Sequence, residues 1–150
     1  MIETLDTTLT GSAARLRLAI VRTSRRLRQE AAGAVGELTP TSVSALATVE
    51  RHGPLTPSEL AEIERVKRPT ATRTLHHLHE AGLIDRAPDP ADGRSALLSI
   101  SAAGRERLRR LRGRKNAYLA RRMRDLPPDD VETLERAASI LERMLESERR

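Results

Sequence analysis

Residues Thr56 to Ser101 read TPSELAEIERVKRPTATRTLHHLHEAGLIDRAPDPADGRSALLSIS, and the order of start, stop and turn signals in this stretch decides the fold. Thr56-Pro57-Ser58-Glu59 is a capping box: the Thr56 hydroxyl accepts from the Glu59 backbone N–H while the Glu59 carboxylate reaches back to the Thr56 N–H. That predicts a short helix through Glu64. A turn over Arg65 to Arg68 follows, and Pro69 suits the first position of a second helix, where its missing N–H would be unpaired anyway. Ala71, Leu75 and Leu78 form the apolar stripe of this helix. It ends at Ala81-Gly82, with Gly82 standing where a helix terminus takes a positive φ. Leu83 to Ala87 and Ala96 to Ile100 read as strands. Between them, Pro88-Asp89-Pro90-Ala91-Asp92-Gly93-Arg94-Ser95 is dominated by turn formers, which predicts a β-hairpin with a long polar tip.

Outward from this stretch the chain reads as helices. On the N-terminal side, residues 12–31 carry Leu16, Ile20, Leu27 and Ala31 along one stripe and end near Gly33 to Gly36. Thr39-Pro40 opens another helix, with Val43, Leu46, Ala47 and Val49 inward, which stops at His52-Gly53. On the C-terminal side, Ser101 caps a long basic helix running to about Arg124, with Gly113 as the candidate point of interruption. Pro127-Pro128 breaks it, and a last helix places Val131, Leu134, Ala138, Leu141 and Leu145 at three- and four-residue spacing. The fold class is therefore mainly α with a small β-hairpin, and helix, tight turn, helix, hairpin is the order of a winged helix-turn-helix.

Composition narrows what such a fold does. The 150 residues suit one domain, and with no Phe or Trp and a single Tyr, the core must come from Leu, Ile, Val, Ala and Met. A modest core of this kind favours self-association. The net charge is +6, and it is unevenly placed: residues 51–124 hold 17 basic and 8 acidic side chains, the remainder 10 and 13. A basic middle attracts phosphate polyanions, because neutralising phosphates releases condensed counterions. Cysteine is absent, which excludes disulfides, thiolate metal sites and sulfur redox sensing. No apolar run approaches the ~20 residues needed to span a bilayer, so a cytoplasmic protein with no membrane partner is expected. There is no nucleophile elbow, glycine-rich phosphate loop or zinc motif, so neither an enzyme nor a cofactor is expected.

The helix opened by Pro69 carries the candidate function. With Ala71, Leu75 and Leu78 inward, the 100° step points Arg73, His76, His77 and Glu80 outward, with Thr70 and Thr72 flanking near the N-terminus. A helix presenting such a face fits the major groove of double-stranded DNA, where Arg73 can donate twice to guanine O6 and N7 and the threonines can meet phosphate or a thymine methyl. The helix start, flanked by Arg65, Lys67, Arg68 and Pro69, favours anions through its free N–H groups and dipole. In the hairpin tip, Arg94 can reach the minor groove, with Asp92 expected to hold its guanidinium in a bidentate pair. His76, His77 and His79 lie close in sequence, but no cysteine joins them, and solvated or phosphate-facing rings are preferred over a metal site. The arginines at 105, 107, 109, 110, 112 and 114 read first as a solvated face.

Leu55-Thr56 and Glu59-Leu60-Ala61, Arg68 to Arg73, Leu78, Gly82-Leu83-Ile84, Arg86, Asp92-Gly93-Arg94-Ser95 and Ile100-Ser101-Ala102-Ala103-Gly104 together resemble the MarR family of multiple antibiotic resistance regulators. The most specific piece is Asp-x-Arg followed, after a strand, by a capping hydroxyl and Gly104. Ser101 stands where the family usually has threonine. The resemblance covers nearly the whole chain and implies a homodimer whose outer helices, about 12–32 and 101–147, interlock around winged lobes of about 38–100. It further implies recognition helices in successive major grooves of a pseudopalindromic operator, with Arg94 in the minor groove. Family members commonly act as repressors that release DNA when a small, often aromatic anionic effector binds between the dimer helices and the lobe. That pocket has no portable motif, so no ligand-binding residues are carried over. The expectation is a cytoplasmic, nucleoid-associated, sequence-specific regulator; the alternative is a winged-helix module for non-specific nucleoid coating or protein contacts.

Overall fold

A computed structural model describes residues 2–32 and 38–147. In chain order the elements are α1 (Ile2–Ala32), α2 (Pro40–His52), α3 (Pro57–Ile63), α4 (Arg68–Glu80), β1 (Ile84–Pro88), β2 (Ala96–Ile100), α5 (Ala102–Arg124) and α6 (Pro128–Ser147). Every element expected from the sequence is present, with one-residue shifts at the end of α3, the start of α4 and both ends of β1, and larger differences in α1 and α5. α1 begins at Ile2 rather than near residue 12; the threonines and glycine of residues 7–11, Thr-Thr-Leu-Thr-Gly, are weak helix formers and hide the continuity. α5 runs unbroken through Gly113, since one glycine costs about 1 kcal/mol and the flanking turns absorb it. β1 starts one residue later than read, because Leu83 is taken up by the end of α4. The expected end of the first helix, at Gly33 to Gly36, falls outside the described residues.

The Leu83 backbone shows how α4 is stopped. Its N–H donates to Leu78 O (2.9 Å) while the Gly82 N–H donates to His79 O (2.9 Å). Gly82, at φ +68°, closes this paired motif in a conformation that a side chain disfavours. β1 and β2 then pair antiparallel, from Ile84 opposite Ile100 to Pro88 opposite Ala96. The sequence hid a further pairing: Leu55 exchanges two backbone hydrogen bonds with Leu98 (3.0 and 2.8 Å). That lone bridge, too short to carry a period, sews the segment before α3 to the hairpin.

One core holds the middle of the chain. Leu46 and Val49 of α2, Leu60 and Ala61 of α3, Ala71, Leu75 and Leu78 of α4, Leu55, Leu83, Ile84, Leu98 and Leu108 are all buried together. At the junction with α5, Ser101 caps the helix by accepting from the Gly104 N–H (3.0 Å), and its hydroxyl donates to Gly82 O (2.6 Å). Gly104 has to be glycine, because a Cβ there would sit 2.1 Å from Leu83 O. The exit of α4 and the entry of α5 are thus packed backbone to backbone.

The outer helices differ. α1 packs along α5, pinned by Arg26, whose Nε donates to the Tyr118 hydroxyl (3.3 Å) with the guanidinium 5.4 Å from the ring centre. Yet Leu16, Leu18, Ile20 and Val21 of α1 and Leu134, Ile140, Met144 and Leu145 of α6 remain exposed. Among the described residues, α6 makes no extended packing with any other element.

Candidate nucleic-acid interface

Local chemistry fixes α3, the turn and α4 as one unit. The capping box forms as read: the Glu59 N–H donates to Thr56 Oγ1 (3.3 Å), and the Thr56 N–H donates to Glu59 Oε2 (2.7 Å). The Thr56 backbone bond first, and the Thr56 hydroxyl second, hold the Glu59 carboxyl below the usual carboxylate range. At the other end of α3, Glu64 accepts from Ser44 Oγ (2.6 Å) and from the Thr48 hydroxyl, tying the turn to α2. Arg65 then reverses the chain at φ 52°, and the Val66 N–H donates back to Ala61 O (3.0 Å).

On α4 the division of faces follows the sequence. Ala71, Leu75 and Leu78 are buried, whereas Thr70, Thr72, Arg73, His76 and His77 are exposed. Lys67 occupies the N-cap and makes no side-chain cap bond, and the first turn holds no acidic residue. Arg65, Lys67, Arg68 and Pro69 are exposed around it. This end of α4 is therefore positive by side chain and by dipole, with nothing acidic in its first turn to quench it.

The wing tip corrects one expectation. Asp92 does not clamp the Arg94 guanidinium; its Oδ1 accepts from the Arg94 backbone N–H (3.0 Å). Asp89 accepts likewise from the Ala91 N–H (2.9 Å), and the Ser95 N–H donates to Asp92 O (2.9 Å). A short aspartate bonds its own backbone two residues on more readily than it reaches a long neighbour. The aspartates therefore shape the loop and leave Arg94 exposed, without an ion pair among the described residues.

Between α4 and the wing lies a residue that the sequence reading quoted only as part of a motif. Arg86 of β1 is exposed and lines a shallow notch with Pro57, Thr72, Leu75, His76 and Leu98. The register placing Arg86 opposite Leu98 puts its side chain on the α4 side of the hairpin, so it extends the cationic surface from α4 to the wing. Strand alternation from Ile84 was the signal that could have found it. Of the α5 arginines, Arg109 and Arg110 pair with Glu106, and Arg112 pairs with Glu50 of α2 (2.6 Å). These three arginines are exposed but ion-paired within the chain, where the sequence led us to expect a solvated face. His76 and His77 pair with Glu80, and no group of three metal-ligating side chains occurs among the described residues.

A separate cavity of about 400 Å³ opens where α1, α2 and α5 meet, lined chiefly by Leu27, Ala31, Leu38, Val43 and Leu111. Its charged groups are Arg28, which donates to Ser24 Oγ (2.9 Å), and Lys115.

The chain has recognisable relatives. The model of the MarR family matches residues 38–96. A Mycobacterium bovis protein described as an uncharacterized HTH-type transcriptional regulator is 37% identical over 129 residues, covering 86% of this chain and 89% of its own length. The HTH-type transcriptional repressor IacR of Pseudomonas putida is 28% identical over 90 residues, 60% of this chain and 54% of that one. Among solved structures, a transcriptional regulator protein from Pseudomonas aeruginosa superposes with a TM-score of 0.79 at 32% identity, covering 89% of this chain and 94% of that one.

Proposed function

The chain belongs to the MarR family of helix-turn-helix transcriptional regulators, and from that membership we propose that it acts as a homodimeric repressor that grips a pseudopalindromic operator with α4 and the wing. It is a DNA-binding regulator; the roles of individual residues and the second copy are our reading. The observation that carries it is the two-faced α4. Its apolar stripe is sealed into the core, while Thr70, Thr72, Arg73, His76 and His77 are exposed to solvent beside an N-terminus flanked by Arg65, Lys67, Arg68 and Pro69. On this reading Arg73 reads base edges in the major groove, the basic flank and Arg86 hold phosphates, and Arg94 enters the minor groove, with Asp92 keeping the loop in shape.

Dimerisation is supported by the large apolar side chains of α1 and α6 that the described residues leave exposed. A monomer would leave several large aliphatic side chains in water, at a cost of about 25 cal/mol per Å² of apolar surface left unburied. The cavity between α1, α2 and α5 suits a small anionic effector, since its apolar lining would take a ring and Arg28 and Lys115 its charge. Its position astride the outer helices and the lobe would let occupancy change how the two α4 helices are held. We read the role as non-catalytic and cytoplasmic. Among the described residues no helix is long and apolar enough to cross a membrane.

The test is a salt-titrated binding assay, with protection mapping, on DNA flanking the chain's own gene. The expected result is two protected half-sites about one duplex turn apart, and an affinity that falls steeply with salt. A monomer in solution, or equal affinity for all duplexes, would overturn the operator-reading role and favour non-specific coating.

A further inference from the structure

Three of the four histidines fall on α4, and two of them share one carboxylate on its exposed face. His76 Nε2 lies 3.3 Å from Glu80 Oε1 and His77 Nδ1 lies 3.9 Å from Glu80 Oε2, with the ring centres 6.3 Å apart. All three side chains are more than half exposed, at 63%, 67% and 59%. Arg73 stands one turn earlier on the same face. Packed against α4, β1 brings Arg86 beside His76, whereas α3 brings Pro57 and β2 brings Leu98. Glu80 is thus the one carboxylate paired with either ring among the described residues, and no metal-binding group of three includes them.

The charge of this face depends on protons. On α4 itself, Arg73 and Glu80 cancel when both imidazoles are neutral and the face carries a net +2 when both are protonated, with Arg86 of β1 adding one positive charge in either state. Histidine is the side chain whose charge changes most readily inside the range a cell visits. Arg73 and Arg86 attract phosphate at any pH and Glu80 opposes them, so the histidines set how strongly this part of the helix attracts DNA. We infer that His76 and His77 make duplex binding by α4 proton-linked, tight when the two rings are charged and weak when they are neutral. The inference rests on the DNA-binding reading above and adds to it a regulatory input. Phosphate set against a ring favours its protonated form, so binding takes up protons. Affinity therefore rises as pH falls from the titration of the bound state to that of the free state, and is flat beyond either.

The test measures dissociation constants by fluorescence anisotropy at constant ionic strength, using the full chain and a mixed-sequence duplex of roughly two operator lengths. Phosphate contact is sequence-independent, so this probe needs no known operator. Between about pH 8 and pH 6 the wild-type chain is expected to bind on the order of tenfold more tightly. The H76Q/H77Q variant fixes the face uncharged and is expected to show the weak, high-pH affinity throughout. The H76K/H77K variant fixes it charged and is expected to bind tightly throughout. H52Q, on α2, should keep the wild-type slope. A wild-type profile that is flat while binding persists overturns the proton linkage alone, as does a slope that survives in H76Q/H77Q. Failure of the wild-type chain to bind the duplex at any pH overturns the DNA-binding reading itself.

Discussion

The lobe from α2 to β2 and the helices that flank it solve the same burial problem in opposite ways. In the lobe, every large aliphatic side chain facing inward finds neighbours within its own chain, and Leu46, Leu60, Leu78, Ile84 and Leu98 are at most 1% exposed. In α1 and α6 the apolar stripes are just as regular, but Leu16, Val21, Leu134 and Leu145 are 45–60% exposed. The difference teaches that amphipathic pattern announces a buried face without naming what buries it. For the lobe the partner is local; for the outer helices it is, on our reading, another copy of the same chain.

The largest effect should come from opening the closed half. Leu78→Ala removes a fully buried side chain from α4 and is expected to cost about 4 kcal/mol in a denaturant titration. A loss within surface range, about 0.5 kcal/mol, would mean the lobe is far less tightly packed than described. Leu134→Ala sharpens the contrast. If α6 stood alone this half-exposed position would be nearly neutral, whereas coverage by a partner predicts a loss of about 3 kcal/mol and a dimer that dissociates at higher concentration in sedimentation. A neutral result would break the dimer reading.

Arg73→Ala asks whether the exposed face of α4 does what the buried one permits. Specific binding is expected to weaken by on the order of 1 to 3 kcal/mol, with non-specific affinity nearly intact; equal loss on every duplex would reduce Arg73 to a phosphate contact. The smallest effect belongs to the start of α3. Thr56→Ala should cost about 1 kcal/mol of stability. The Glu59 carboxyl, held low in the folded chain by Thr56, contributes stability that is present above the ordinary carboxylate range and lost as pH falls through its folded-state titration. The gap between wild type and Glu59→Gln in denaturation midpoint should therefore close in acid.

Legibility followed the same divide. Thr56, Pro69, Gly82 and Ser101 are each the residue a helix terminus demands, so the lobe's boundaries could be read within a residue or so, and with them the exposed set on α4. What escaped reading needed distance. The Leu55 to Leu98 bridge joins residues far apart in sequence, and the choice of Asp92 between backbone and guanidinium depends on loop geometry. Strand alternation could have put Arg86 on the inner face of the hairpin, but its place beside His76 shows only when β1 is laid beside α4. The beginning of α1 was hidden for another reason: the threonines and Gly11 among residues 7–11 have poor helix propensity, yet the helix runs through them.

The unbroken course of α5 has a mechanical consequence. A helix of 23 residues is a rod of about 34 Å, and its near end is welded to the exit of α4 through Ser101 and Gly104. Without a joint at Gly113, a tilt of about 5° at that weld sweeps the far tip through about 3 Å, and the reverse holds equally. On the dimer and effector reading proposed above, a small molecule wedged beside Leu111 would need to shift the rod only slightly to pull two reading heads out of step with the turn of the double helix.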